Sequence, residues 1–163
     1  MTDGWRVLYD LEYPRLLRAL LAIGGDPDAA EDAAQEAFVK AHKQGLATLD
    51  RPGAWLLVVG TRELLRQRRR RRIEHQRWAE RRTSEASAFD AVADRADLLA
   101  ALRQLPERQR AIVVARYYYG LSYDDIASHF DIKSGTVGAT LHQAIEKLRQ
   151  IQIAGRLARG AMR

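Results

Sequence analysis

Residues 121–137 read LSYDDIASHFDIKSGTV, and this stretch decides the fold of the C-terminal part of the chain. Ser122 is a favoured helix N-cap residue, so we predict a short helix over Tyr123–Phe130. Residues 131–133 form a predicted tight turn, and a second helix begins at Ser134. The stretch therefore predicts two helices joined by a tight turn, rather than strands.

The spacing of the apolar residues fits a helix-turn-helix. The predicted inner face consists of small and apolar side chains: Ile126, Ala127, Phe130, Ile132, Val137 and Leu141. This packing presents the N-terminus of the second helix outward, where it can enter a DNA major groove. Lys133, Ser134 and Thr136 suit contact with phosphates there. DNA binding is the favoured interpretation, and a helical hairpin packed for stability is the alternative.

Helical periodicity continues through the rest of the chain, and no stretch alternates as a strand does. We predict further helices at about 5–23, 27–44, 52–65, 97–104 and 111–119, with the last helix running from 134 to about 153. The expected apolar positions of the first three are Leu8, Leu11, Leu16, Leu17, Leu20 and Leu21; Ala30, Ala34, Ala37, Phe38 and Ala41; and Trp55, Leu56, Val59 and Leu64. The expected fold is all-α, with two small helical domains at 1–73 and 96–163 and a linker at 74–95.

Composition limits the classes of function. The formal net charge is +6, which favours a polyanionic partner. The chain has no cysteine and four scattered histidines, so we expect neither a metal nor another cofactor. No apolar run reaches the roughly 20 residues of a membrane span, and the N-terminus is not a signal peptide, so we expect a cytosolic protein.

An arginine run follows the third predicted helix. Six of the seven residues from Arg66 to Arg72 are arginines, a composition that suits phosphate binding. With Trp55 and Arg62 on the same helix, the pattern is typical of a surface that binds single-stranded DNA. A solvated tail, and a Trp55 buried in the core, are the alternatives. An enzyme acting on nucleic acid is disfavoured because Glu63 alone does not make a catalytic constellation.

The second predicted helix carries an acidic stripe between Asp28 and Glu36. A solvated surface is one interpretation. Acid catalysis is disfavoured because no nucleophile accompanies the carboxylates. Beside a basic helix, the stripe is better explained as a face that docks on another protein.

With these motifs, the sequence resembles the sigma-70 superfamily, in its extracytoplasmic-function (group IV) branch. Residues 25–38, GDPDAAEDAAQEAF, resemble the family's helix that docks on the β′ clamp helices of RNA polymerase. Residues 54–57, AWLL, with the basic helix after them, resemble the segment that recognises and melts the −10 element. Residues 105–110, LPERQR, and 121–144 resemble the domain that reads the −35 element. The resemblance covers about 120 residues in the family's order.

The resemblance implies an alternative sigma factor without catalytic activity, and three sets of contact residues. The polymerase-binding residues are Asp28, Glu31, Asp32, Gln35 and Glu36. The −10 residues are Asp50, Arg51, Trp55, Arg62, Arg66, Arg69 and Arg70. The −35 residues are Tyr123, Lys133, Ser134, Thr136, Thr140, His142, Gln143 and Lys147. The implied partners are the β′ clamp helices and β flap of core polymerase, promoter DNA as duplex and as single strand, and an anti-sigma factor.

Two features depart from the family pattern. Gly138 and Ala139 stand where the family usually has basic or hydroxyl residues, so −35 recognition is either weak or rests on Lys133, His142, Gln143 and DNA shape. The loop at 49–53 is short, which leaves open which residues form a −10 base pocket. A helix-turn-helix regulator that binds duplex DNA without polymerase is the second candidate.

Overall fold

The computed structural model describes residues 3–77 and 93–161, with side chains described at 4–74 and 97–152. Within these residues it has no strand and consists of helices α1 Asp3–Gly24, α2 Pro27–Gln44, α3 Pro52–Arg77, α4 Ala93–Arg103, α5 Glu107–Tyr117, α6 Tyr123–Phe130 and α7 Ser134–Ala161. A 3-10 turn, Leu46–Thr48, lies between α2 and α3. The chain divides into two compact units, Met1–Phe89 and Asp90–Arg163. The all-α prediction is confirmed for the described residues.

The first unit packs α1, α2 and α3 against one another around an apolar core. The large apolar side chains that α1 and α3 bury fully are Leu16, Leu20, Ile23, Leu56, Leu57 and Leu64. The inner face of α2 is made of alanines and Phe38, as predicted. Because alanine side chains are short, α2 can approach both neighbouring helices closely. Gly60 serves the same purpose on α3, since a Cβ there would lie 3.0 Å from Leu20 Cδ1.

The bounds of α2 follow its capping residues. Asp26 Oδ1 accepts from the backbone N–H groups of Asp28 at 3.1 Å and Ala29 at 3.3 Å. Pro27 occupies the first turn, where its missing N–H costs nothing. At the other end Gly45 adopts φ 91°, which stops the helix before the 3-10 turn. The predicted start and end of this helix are confirmed.

One predicted core position of α1 is wrong. Leu11 is 69% exposed, whereas Leu16 and Leu20 are fully buried. Leu11 precedes Leu16 by five residues, which at about 100° per residue places it ~140° away around the helix. The position of a residue around the helix axis therefore predicts its burial better here than the fact that it is a leucine.

The predicted end of the third helix is also wrong, because α3 continues through the arginine run to Arg77. Arginine is a good helix former, and residues 61–77 contain neither Gly nor Pro. Arg71 Nη1 also contacts Asp26 Oδ2 at 3.0 Å, which ties this part of α3 to the start of α2. The arginines are consequently displayed at helical intervals.

The second unit packs α4, α5 and α6 against α7. Its buried side chains include Leu105, Ile112, Val114, Leu121, Ile126, Val137, Leu141 and Ala144. Ser122 caps α6 in a capping box, in which Asp125 N–H donates to Ser122 Oγ and Ser122 N–H to Asp125 Oδ2. Asp131 closes α6 in the left-handed conformation, at φ 54°. These features confirm the predicted helix-turn-helix.

Several details of the second unit differ from the prediction. Helix α5 begins at Glu107 rather than near 111, because Pro106 and the acidic Glu107 favour a helix start there. Helix α7 continues to Ala161, beyond the predicted end near 153. Ala127 and Phe130, predicted to face inward, are half-buried, whereas Ile126 is fully buried. A helix of only eight residues buries a narrow stripe.

Candidate docking face and nucleic-acid interface

The acidic residues of α2 lie opposite its alanine face. Asp28, Glu31, Asp32 and Gln35 are exposed and Glu36 is half-buried. Their spacing of three and four residues places them on one side of the helix. Gln35 Nε2 donates to Glu31 Oε1 at 3.4 Å. The five predicted docking residues thus share one surface, which we call the acidic face.

The C-terminal end of the acidic face has a cation that the sequence interpretation overlooked. Lys40 Nζ lies 3.7 Å from Glu36 Oε1. Glutamate followed by lysine four residues later is a favourable pair on a helix surface. The negative charge of Glu36 is therefore partly compensated by a cation on the same helix.

An aromatic cluster borders the acidic face. The Tyr9 and Tyr13 rings stack at 4.7 Å, and Phe38 meets the Tyr9 ring edge-on at 5.1 Å. Burial raises the pKa of Tyr13, and the nearby charges of Tyr9 and Glu31 raise it further. A hydrogen bond with Gln35 lowers the pKa but does not outweigh them. Tyr13 and Gln35 are therefore in contact. This cluster was not predicted from the sequence, although Tyr9 and Tyr13 have the four-residue spacing of neighbours on a helix.

Four arginines form a second surface, on α3. Arg62, Arg66, Arg69 and Arg70 are exposed, and their spacing places them on one side of the helix. We call them the arginine face. Trp55 lies on the same side, seven residues before Arg62, and is half-buried. The ring is thus neither fully in the core nor fully in solvent.

Other members of the arginine run face elsewhere. Arg68 is half-buried, and desolvation lowers the pKa of its guanidinium despite the nearby charge of Asp26. Arg71 pairs with Asp26. Asp50 and Arg51, predicted to belong to the −10 set, are exposed in the segment just before α3. The structure therefore separates the run into an outward set and a set directed toward α2.

Glu63 on α3 is unexpectedly buried for a charged residue. Its side chain is 4% exposed, and its carboxylate accepts from Arg66 Nη2 at 2.6 Å and from Lys40 Nζ at 3.2 Å. Burial raises the pKa of Glu63, but the hydrogen bonds from Arg66 and Lys40 outweigh it, so the pKa lies below its ordinary value. The spacing Glu63–Arg66 was visible in the sequence, whereas the contact with Lys40 needed the packing of two helices.

The predicted −35 residues lie mostly on the outer side of the helix-turn-helix. Lys133, Ser134 and Thr136 are exposed at the start of α7. Along the same helix Thr140 is half-buried, and the exposed residues are His142, Gln143 and Lys147. Val137 and Leu141 are buried on the opposite side. The start of α7 is thus available to a groove, as the motif predicts.

Tyr123 lies beside Gly138, where α7 has no side chain. A Cβ at Gly138 would be 3.5 Å from Tyr123 Cε2, which is ordinary van der Waals contact. The Arg116 guanidinium lies over the Tyr123 ring, 5.4 Å from its centroid, and its Nη1 donates to the Leu121 carbonyl at 2.9 Å. Arg116 therefore fixes a tyrosine that borders the outer face of α7. The role of Arg116 was not predicted, because its partners Leu121 and Tyr123 lie beyond the end of its own helix.

No group of three or more His, Cys, Asp or Glu side chains is placed to hold a metal ion within 4–74 and 97–152. No described helix combines the length and the hydropathy needed to cross a membrane.

Two family descriptions match the chain, one for each unit. Sigma-70 region 2 matches residues 8–73, which include the acidic and arginine faces. Sigma-70 region 4 matches residues 95–148, which include the helix-turn-helix.

Curated relatives match most of the chain. The ECF RNA polymerase sigma factor SigL of Mycobacterium tuberculosis is 35% identical over 152 residues, covering 88% of this chain and 86% of that protein. The RNA polymerase sigma-E factor of Streptomyces antibioticus is 30% identical over 140 residues, covering 83% of this chain and 77% of that protein.

A solved structure has a similar fold. The sigma factor RpoE of Bartonella quintana, in complex with the anti-sigma factor NepR, gives a TM-score of 0.77 at 23% sequence identity. The match covers 93% of this chain and 98% of that chain.

Proposed function

The chain belongs to the sigma-70 family, in its extracytoplasmic-function branch, and from that premise we propose which of its surfaces hold polymerase and which hold promoter DNA. It is an alternative sigma factor, which binds RNA polymerase core, directs it to specific promoters and promotes DNA melting at initiation. The domains are assigned as 1–73 for docking and the −10 element, 74–95 as the linker, and 96–163 for the −35 element. We further propose that it acts in the bacterial cytoplasm and has no catalytic activity of its own.

The acidic face of α2 is the proposed contact with the β′ clamp helices. Its carboxylates at Asp28, Glu31 and Asp32 are exposed, and charged surfaces of one sign steer and orient a partner of the opposite sign. The alanine side of α2 is packed in the core, so the acidic side remains outward. The β flap is the proposed partner of the second unit, and an anti-sigma factor, of the kind crystallised with the Bartonella protein, is a third proposed partner.

The arginine face and Trp55 are the proposed contacts with the −10 single strand, together with Asp50 and Arg51. Arginines spaced along one helix side can follow successive phosphates, and an aromatic ring can stack on an unpaired base. Unstacking a base costs a few kcal/mol, so opening several base pairs needs stabilisation that a small free factor lacks. Polymerase binding and strand capture are therefore coupled in this proposal.

The second unit is the proposed reader of the −35 duplex. The exposed residues at the start of α7 contact phosphates, and His142, Gln143 and Lys147 lie further along the same helix. Gly138 offers no side chain to a base edge, so Tyr123 beside it and the shape of the DNA carry more of the discrimination.

A single observation carries the proposal: the acidic and arginine faces belong to adjacent helices of one small bundle, joined by the Asp26–Arg71 and Lys40–Glu63 ion pairs. Run-off transcription with core polymerase over a promoter library tests it. We expect the purified chain to direct initiation from promoters that are silent with core alone. A helix-turn-helix regulator that binds duplex DNA independently of polymerase would bind templates from the library without producing transcripts.

A further inference from the structure

The carboxylate of Glu63 belongs to the same helix as the arginine face but is buried. Oε1 accepts from Arg66 Nη2 at 2.6 Å and from Gln67 Nε2 at 3.4 Å, and Oε2 accepts from Lys40 Nζ at 3.2 Å. Both oxygens therefore have donors: those of Oε1 lie on α3, and that of Oε2 lies on α2. This arrangement joins an arginine proposed to contact DNA with the helix proposed to contact polymerase.

A buried carboxylate needs its cations. Removing one partner of such a pair leaves a desolvated charge, which is strongly unfavourable. Lys40 and Arg66 are each about half exposed, at 42% and 52% of their side-chain surface, whereas Glu63 is 4% exposed. The fixed member of the cluster is therefore the carboxylate, and it determines where the two longer side chains go.

Arg66 is held at one point and remains accessible elsewhere. The contact with Glu63 uses Nη2, and a guanidinium has five N–H donors in a planar fork. A phosphate can therefore bind the exposed part of the fork while Glu63 keeps its hydrogen bond. Ordering a long side chain on binding costs affinity, and that cost is smaller for an arginine already held in place.

We propose that Glu63 is a positioning residue for promoter binding, which holds Arg66 in the orientation that meets a phosphate of the −10 strand, with Lys40 completing the charge balance from the docking helix. The inference rests on the proposed function, in which Arg66 contacts DNA. Glu63 touches neither DNA nor polymerase in this scheme and acts through Arg66.

The Asp26–Arg71 pair provides a matched control. It also joins α2 to α3 with a distance of 3.0 Å, but Asp26 is 36% exposed and Arg71 47% exposed, so neither is fixed by burial. Asn is as good an N-cap as Asp, so Asp26→Asn keeps the start of α2. Glu63→Gln and Asp26→Asn each remove one negative charge beside the arginine run.

The two variants should differ in their effect on DNA affinity. The probe is a fluorescein-labelled single-stranded oligonucleotide of mixed sequence, bound to the full chain and followed by anisotropy. We expect Glu63→Gln to weaken binding about three- to tenfold, because Arg66 must be ordered on binding. Asp26→Asn should leave binding unchanged or strengthen it, because a competing anion is removed. Equal strengthening by both variants would show that Glu63 withholds Arg66 from DNA, and would overturn the inference.

A double-mutant cycle separates positioning from a general structural role. Glu63→Gln should cost affinity in the wild-type chain but not in Arg66→Ala, since its effect passes through that arginine. A cost that persists in Arg66→Ala would overturn the inference. Unchanged affinity of Arg66→Ala itself would contradict the proposed DNA contact, whereas a loss in Arg66→Ala without a loss in Glu63→Gln overturns the inference alone.

Arg66→Lys carries the test if Glu63→Gln does not fold, as judged by circular dichroism. It preserves the charge and a partner for Glu63 but lacks the fork that can bind carboxylate and phosphate together. We expect a loss of about three- to tenfold. Affinity equal to that of the wild type would mean that only the charge of Arg66 matters, and would overturn the inference.

Discussion

Asp26 shows how much a single side chain contributes to this bundle. One oxygen caps α2 by accepting from the Asp28 and Ala29 N–H groups, and the other contacts Arg71 on α3. Glu63 makes the corresponding link further along α3, with Lys40 from α2. Two carboxylates therefore fix the start of one helix and the lateral position of its neighbour.

The buried carboxylate of Glu63 should make the stability of the first unit depend on pH. Because the pKa of Glu63 is lowered in the folded chain from its ordinary value of 4.5, ionisation stabilises the fold above that value, and this contribution is lost as the pH falls through the lowered pKa. Thermal unfolding of the wild type and of Glu63→Gln checks this. We expect the difference in midpoint between them to shrink steadily on acidification below about pH 4.5. A difference that is constant with pH would show that charge is not what Glu63 contributes.

The contacts of these carboxylates differ in whether they could be predicted from the sequence. The capping roles of Asp26 and Ser122 were predictable because a cap acts on the next few residues. The link from Glu63 to Lys40 spans 23 positions and depends on how α2 and α3 pack. Tyr123 was predicted as a DNA contact. Its contacts with Gly138 and with the Arg116 guanidinium were not predicted.

The helices themselves were easier to predict than their ends. Alanine spacing gave the buried side of α2, and Gly45 gave its end. The end of α3 was misjudged because a run of like charges was taken to break a helix. In the structure the arginines spread around the helix, and Asp26 and Glu63 offset part of their repulsion. The acidic and arginine faces both result from charged residues spaced three or four positions apart on a helix.

The arginine face should contribute a definite share of the salt dependence of DNA binding. We expect replacement of Arg66, Arg69 and Arg70 by Ala to lower affinity for single-stranded DNA and to reduce the slope of log K against log salt by about two, since each phosphate contact contributes about 0.7. Anisotropy titrations at several salt concentrations measure this slope. Replacement of Arg6 and Arg18, which are exposed on α1, is the control and should change it little. An unchanged slope in the triple variant would mean that the run is a solvated surface.

Across the whole molecule, we propose that each unit performs a different part of initiation. In this proposal the first unit combines a face for polymerase with a face for single-stranded DNA, and the helix-turn-helix of the second unit binds duplex DNA. Melting a promoter costs several kcal/mol, and docking on a large enzyme supplies fixed geometry that a free factor lacks. The two family matches, at residues 8–73 and 95–148, fall one in each unit.

The most direct test of the account is binding of the purified chain to core RNA polymerase, measured for the wild type and for Asp32→Lys with Glu36→Lys. We expect the wild type to associate, and the double charge reversal to lower that affinity by at least about tenfold while DNA binding by the second unit stays intact. Asp10→Lys, on the exposed side of α1, makes the same kind of charge change away from the acidic face and should behave as wild type. A wild-type chain that does not bind polymerase, or a reversal that weakens polymerase and DNA binding equally, would contradict the account.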